Sequence, residues 1–369
     1  MRLLPLYLII TILIAFSGIT SCGSGEGNNC YTTDTLHLSG TVLAGDEAFR
    51  EPLGIVASDD RIYIRNSVKY DTVIDEYTLG GEYIRSFLKK GIESGQLPYL
   101  TGMWYDAAAH RLVVESDVAR GKLLAVEGLD SATPALRMVT SLRERIVGAP
   151  DDTVVPASLM LLGNGAVYAP NLNSAGMLNA YDRNGRLKKI AVHYPDVIYQ
   201  SGVPAYGLAN FFHLSGRVSP DGKHFAASSA LGDVLVLGTA DADSATITVI
   251  TGEPQKGIEI DKEEDGYASF RYTDSLRYFY PGGVIVSDNH VYTAVGDYAS
   301  AFTEKKRDMA TGNTEPLTTV RVYDYSGRLA KVLYLKAGRC LLAVKPDDSA
   351  IYALEESDEF GYRLLQFNL

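Results

Sequence analysis

The side chains that could do chemistry are present in this sequence but scattered. Its six histidines are His37, His110, His193, His213, His224 and His290. No two have the spacing that sets a His pair around a zinc ion. No Gly-x-Ser-x-Gly elbow and no His-Glu-x-x-His pair occurs. Ser86-Phe-Leu-Lys89 has a Ser-x-x-Lys spacing, but it falls at a strand end rather than a helix start. Asp241-Ala-Asp243 and the run from Asp261 to Asp265-Gly266 carry carboxylates, yet neither continues as an EF-hand loop. Both read as solvated turns. No cofactor or metal is expected from these patterns.

The elements that must position such residues are more legible. Two kinds of hairpin alternate along the chain. The first has an apolar strand, a polar turn and a second strand that usually carries an aromatic residue. Six copies run from Ile55 to Ile64, Met103 to Val114, Leu159 to Tyr168, Val218 to Ala227, Val284 to Thr293 and Leu342 to Tyr352. The Asp, Asn and Gly residues of their turns tolerate tight chain reversal, and β-branched and aromatic flanks favour strands. The second kind follows the first. It is clearest in Tyr181-Asp-Arg-Asn-Gly-Arg-Leu187 and its later copy Tyr323-Asp-Tyr-Ser-Gly-Arg-Leu329. There the aspartate is expected to bond into the turn and the glycine to supply positive φ, so both aspartates build turns rather than catalyse.

Two hairpins make a four-stranded antiparallel sheet, which buries both faces only against neighbouring sheets. The units recur at intervals of roughly 50 to 65 residues, the period range of repeat architectures. The sixth unit supplies three strands, marked by Leu342, Ile351 and Leu364. The missing strand is expected from Asp34 to Leu43, paired with residues 362–369. The sequence therefore predicts an all-β, six-bladed β-propeller with four-stranded antiparallel blades, its ring closed by the N-terminal strand. The segment from Gly252 to Phe279 lacks the two hairpins a seventh blade needs.

The N-terminal residues point to an envelope location. Met1-Arg2 and the apolar run from Leu3 to Phe16 form the charged and hydrophobic parts of a signal peptide, with a run too short for a spanning helix. Ile19-Thr20-Ser21-Cys22 resembles a bacterial lipobox, in which Cys22 is lipidated. The expected organisation is a signal peptide over 1–21, a lipidated cysteine and flexible tether over 22–31, and a propeller over 32–369. Acyl chains on Cys22 would hold the protein at a membrane. Of the three cysteines, Cys30 and Cys340 remain, and an oxidising envelope would permit a disulfide between them. The net charge of −11 argues against nucleic acid as a partner.

Several motifs carry a family likeness. Pro52-Leu53-Gly54-Ile55 and Pro281-Gly282-Gly283-Val284 match the Pro-x-Gly-Ile that opens blades of NHL-type propellers. Gly95-Gln96-Leu97 followed by Gly102-Met103 looks like the Gly-Gln-Phe…Gly-Ile junction of those repeats. With its lipobox, the chain is similar to the six-bladed, TolB-like propeller lipoproteins of Bacteroidetes. The resemblance implies the propeller fold and an outer-membrane location, periplasmic or surface-exposed, and brings no assigned activity. Such proteins often carry Gly-Pro-Gly-Glu after the first blade. This chain has Gly91-Ile-Glu-Ser-Gly95-Gln96 instead, so no role of that glutamate carries over.

Propellers usually bind at the central channel, near the start of the innermost strands. The residues expected at that mouth are Arg50, Glu51, Tyr99, Val155, His213, Tyr280 and Arg339, with Arg217 slightly further on. Guanidinium groups outnumber carboxylates in this set, which favours an anionic group such as a carboxylate over a metal ion. The competing reading is that the arginines satisfy interblade carbonyls and carboxylates. Aromatic residues crowd two linkers, from Tyr194 to Phe212 and from Tyr267 to Tyr280. They suit either a sugar- or peptide-binding face or packing between blades. The function expected is a non-enzymatic binding or scaffold module for a glycan, peptide or protein partner. The alternative is a metal-dependent hydrolase or lyase using Glu51 and His213.

Overall fold

The computed structural model describes residues 33–45, 49–116, 119, 121–142, 158–170, 176–182, 185–194, 212–229, 231–252, 258–262, 268–272, 280, 283–295, 317–357 and 361–369. Two short strands come first, β1 (Asp34–Leu38) and β2 (Thr41–Ala44). Blade 1 is β3 (Pro52–Ala57), β4 (Arg61–Asn66), β5 (Thr72–Thr78) and β6 (Tyr83–Lys89). Blade 2 is β7 (Gly102–Asp106), β8 (Arg111–Glu115), β9 (Lys122–Glu127) and β10 (Ala135–Ser141). Blade 3 is β11 (Met160–Leu161), β12 (Val167–Ala169), β13 (Gly176–Tyr181) and β14 (Leu187–His193). Blade 4 is β15 (Leu214–Val218), β16 (His224–Ser229), β17 (Val234–Ala240) and β18 (Ala245–Thr251). A hairpin of β19 (Ile258–Lys262) and β20 (Ala268–Tyr272) follows. Blade 5 is β21 (Val284–Val286), β22 (His290–Val295), β23 (Thr318–Asp324) and β24 (Leu329–Leu335). Blade 6 is β25 (Cys340–Val344), β26 (Ala350–Ser357) and β27 (Gly361–Asn368), joined by β2. Each blade is an antiparallel meander, and the molecule is a six-bladed β-propeller. All six first-type hairpins fall on the two inner strands of a blade.

Side chains alternate across each second strand, so one strand feeds two blade junctions. On β4, Ile62 and Ile64 pack with Tyr352 and Leu354 of blade 6, while Tyr63 packs with Leu112 and Val114 of blade 2. Val113 of β8 meets Val167 and Ala169 of blade 3, and Tyr168 of β12 meets Phe225 and Ala227 of blade 4. Ala226 joins Val291 of blade 5, and Tyr292 joins Ile351 and Ala353 of blade 6. The core is thus an apolar cluster at each of the six junctions, and the ring of contacts is complete.

Closure is by the N-terminal segment, with one correction to the expected single strand. β2 pairs antiparallel with β27, Thr41 opposite Gln366 and Val42 opposite Leu365. β1 instead runs parallel to β24 and adds a fifth strand to blade 5, Asp34 opposite Lys331 and Leu38 opposite Leu335. Ser39 and Gly40 carry the chain from one blade to the other. The crossing passes the Phe367 ring so closely that a Cβ on Gly40 would sit 2.8 Å from it. The same segment therefore covers the outer edges of two blades. The long linker after blade 4 holds one hairpin, paired only with itself, and makes no seventh blade.

The repeated Tyr-Asp turns have matching geometry. Gly185 and Gly327 have φ of 75° and 92°. The Gly185 and Gly327 N–H groups donate to the Asp182 and Asp324 carbonyls, each at 3.0 Å. The Arg186 and Arg328 N–H groups donate to the Asp182 and Asp324 carboxylates at 2.9 and 3.0 Å. A side chain at Gly327 would be strained in φ and would press its Cβ to 2.9 Å from Thr248 Cγ2. Gly327→Ala is expected to cost about 1–2 kcal/mol, read as a lowered chemical-denaturation midpoint. Gly45→Ala, where a Cβ meets open space, should leave the midpoint unchanged.

Candidate functional site

The two inner strands of blades 1, 2 and 4 bring three charged side chains together near the axis. Arg65 lies on β4 opposite Gly54 of β3, and Glu115 lies on β8 opposite Gly102 of β7. The glycines make room for them. A Cβ on Gly54 would stand 3.1 Å from Arg65 Nε, and one on Gly102 would stand 2.2 Å from Glu115 Oε2. The third residue, Arg217, comes from β15 of blade 4. Its Nη1 lies 3.3 Å from Glu115 Oε2 and donates to the Gly216 carbonyl at 2.7 Å. Its guanidinium rests over the Trp104 ring, 5.2 Å from the ring centre.

Blade 3 permits this reach. Its innermost strand β11 is two residues long, so β15 of blade 4 touches β7 of blade 2 directly. The Arg65 guanidinium crosses from blade 1 to blade 2, donating to the Leu100 and Leu53 carbonyls. Burial lowers the Arg65 pKa to about 10, and the nearby charge of Arg217 pushes the same way, while Glu115 opposes both. Arg217 and Glu115 expose 18% and 13% of their side chains, so this is a nearly desolvated group rather than a surface pair.

The other end of the channel is built from the first-hairpin turns, and it is acidic. Bonds from the Ala107 N–H to the Pro220 carbonyl, 2.9 Å, and from the Gly163 N–H to the Gly222 carbonyl, 2.8 Å, tie blades 2, 3 and 4 there. The Asp221 N–H donates to Asp288 Oδ1 at 2.8 Å, and the Asp288 N–H donates to the Pro346 carbonyl at 3.0 Å. Tyr292 and Asn289 donate to Asp348 at 2.7 and 3.0 Å, and His290 Nδ1 lies 3.0 Å from the same carboxylate. Burial raises the pKa of Asp288, and Asp221, Asp59 and Asp348 add to the rise. His224 stacks on buried Tyr325 with ring centres 4.0 Å apart, and its burial lowers its pKa. Among the described residues no group of three His, Cys, Asp or Glu side chains is placed to hold a metal ion.

The residues read from the sequence as a channel mouth occupy different settings. Arg217 joins the axial cluster. Arg50 lies across the outer strands of blade 1, donating to Asp75 and to Ser86 Oγ and stacking over Tyr70. Glu51 is 46% exposed with φ 41° and pairs with Lys69 at 2.7 Å, which lowers the carboxyl pKa. Tyr280 is buried between blades 4 and 5, its hydroxyl donating to Asp233 at 2.8 Å, and its pKa is raised by burial. Arg339 is largely exposed, 3.8 Å from Glu356. Tyr99 is half-buried and His213 exposed. Tyr194 and Phe212, the ends of one aromatic linker, pack in the junction of blades 3 and 4. Cys22, Cys30 and Val155 lie outside the described residues. Arg65 and Glu115 are the site residues that sequence reasoning passed over. Their signal was a charge closing an apolar strand, Ile-Tyr-Ile-Arg and Leu-Val-Val-Glu, opposite a glycine.

No family model and no curated protein sequence matches the chain. Solved structures share its shape. A Bacteroides fragilis protein described as exported matches with a TM-score of 0.51 and 11% identity, over 91% of this chain and 98% of its own. A member of the DUF4221 family from Bacteroides vulgatus matches with a TM-score of 0.48 and 9% identity, over 87% and 92%. The β-propeller domain of Swd1 from Myceliophthora thermophila gives 0.47 and 10%, over 89% and 99%. The first likeness supports the fold and goes no further than the fold.

His224 gives the acidic end a pH signature. Its folded pKa lies below the ordinary 6.5, so the unfolded chain takes up a proton first as pH falls. Its contribution is complete above 6.5 and is lost as pH drops through the window beneath. Thermal melts from about pH 7.5 to about pH 5.5 are expected to show a falling Tm, with a smaller fall in His224→Gln.

Proposed function

We propose that the chain is an envelope-anchored lipoprotein that works as a non-enzymatic binding or scaffold module. Its propeller takes a glycan, peptide or protein partner at the channel mouth. The observation that carries the reading is the axial cluster of Arg65, Glu115 and Arg217. It is a set of hydrogen-bonding groups converging from blades 1, 2 and 4 on the channel, an arrangement that suits recognition of a ligand. At the opposite end, backbone bonds tie the turns of neighbouring blades to one another, so the mouth is the end this reading assigns to the partner. The location rests on the signal sequence and the lipobox-like Ile19-Thr20-Ser21-Cys22. No helix among the described residues is long and apolar enough to cross a membrane; attachment through acyl chains on Cys22 is read from the lipobox-like sequence.

Two measurements test this. Labelled fatty acid is expected to enter the wild-type protein in a bacterial host and not Cys22→Ser, with the variant leaving the membrane fraction. Calorimetric screening of envelope glycans and peptides against the full chain is expected to find a ligand whose binding weakens in Arg217→Gln. A stoichiometric divalent ion by elemental analysis, with ion-dependent hydrolysis lost in Glu51→Gln, would replace the binding reading with the enzyme one.

A further inference from the structure

The axial cluster holds more positive charge than it neutralises. Among the described residues it contains two guanidinium groups and one carboxylate. Arg217 is paired with Glu115, whereas Arg65 bonds only to the Leu100 and Leu53 carbonyls. Carbonyl dipoles solvate a cation but do not cancel its charge, and Arg217 stands close enough to repel it. A partly desolvated, unbalanced guanidinium is costly unless an anion completes it.

A second observation points the same way. Ser116 follows Glu115 at the mouth end of blade 2 and is 7% exposed, with no hydrogen-bond partner for its hydroxyl. On β8 the alternate residues Leu112 and Val114 face blade 1, and Ser116 continues that face, the one Arg65 crosses to reach Leu100. A hydroxyl without a partner thus lies on the face where the Arg65 guanidinium is held by carbonyls alone.

We propose that Arg65 and Arg217 form a socket for a carboxylate group of the channel ligand, with Ser116 donating a further hydrogen bond. This rests on the binding reading above and names the chemistry of its ligand. A planar carboxylate suits a guanidinium fork, which offers parallel N–H donors. Glu115 is then the internal competitor, since it occupies Arg217 when the site is empty. The neutral Trp104 ring beneath Arg217 fixes the position of the guanidinium without adding charge.

The test is calorimetry and thermal shift on the full chain with sodium glucuronate, acetyl-dialanine and inorganic phosphate as probes, and glucose and acetyl-dialanine amide as neutral controls. A carboxylate socket binds glucuronate or acetyl-dialanine at one site per chain, with affinity falling as salt is raised, and ignores both neutral controls. Which carboxylate binds better tells a sugar acid from a peptide terminus. Arg217→Gln should weaken binding about ten-fold or more, the scale of a lost charge-assisted bond. Glu115→Gln should strengthen it, because the competitor is gone. That opposite response keeps the test decisive even where Arg217→Gln folds poorly. Tighter binding of phosphate than of either carboxylate would overturn the proposal, and so would carboxylate binding unchanged in Glu115→Gln. If only neutral sugars or peptides bind, the socket fails while the binding reading stands. If nothing binds, both fail.

Discussion

The structure depends on the apolar seam between neighbouring blades. A four-stranded sheet of this size has two faces that water would otherwise cover, and each face finds its cover only on the next blade. The second strand of every blade therefore works twice, giving alternate side chains to the blade before and the blade after. Ile62 and Tyr63, adjacent in sequence, belong to different junctions. Such an arrangement has no free end. If the sixth junction stays open, the faces of blades 1 and 6 are wetted together. The split N-terminal segment meets that demand, β2 completing blade 6 while β1 covers the outer edge of blade 5.

The same alternation places the charges. Arg65 and Glu115 occupy equivalent positions at the ends of β4 and β8, one step beyond the apolar residues that fill the seam. There the seam reaches the channel, and a polar side chain can still find a carbonyl or a counter-charge. The facing glycines supply the space that a Cβ would take. Arg217 joins them from two blades away because the inner strand of blade 3 is short. The charged cluster thus arises where the repeat is least regular, through a shortened strand and two glycines.

The hairpins were legible because strands of period two and turns rich in Asp, Asn and Gly are local signals. Six inner hairpins and the Tyr-Asp turns around Gly185 and Gly327 follow from neighbours in sequence. The path of residues 34–44 was less legible. Whether Asp34 to Leu38 joins blade 5 or blade 6 depends on a parallel register with β24 and on clearance at Phe367, neither of which is written within the segment. The site was legible only in part. Looking around the strand starts reaches Arg217, slightly past one of them, but it also selects Arg50 and Glu51. The positive φ of Glu51 turns the chain there, and Arg50 lies over β5 and β6 with Asp75. Arg65 and Glu115 sit inside strands, where a reader expects core. Only their pairing with glycine across the hairpin distinguishes them.

The two ends of the channel differ in sign. The mouth collects guanidinium groups, while the base gathers Asp221, Asp288 and Asp348, crowded enough that burial and their mutual repulsion raise Asp288. An anion entering at the mouth would meet attraction first and carboxylates beyond. The base is also tied by backbone bonds through Pro220 and Gly222. The acidic base then has two effects from one arrangement. It joins neighbouring turns through N–H to carboxylate bonds, as between Asp221 and Asp288, and its buried carboxylates make that end unfavourable for an anion.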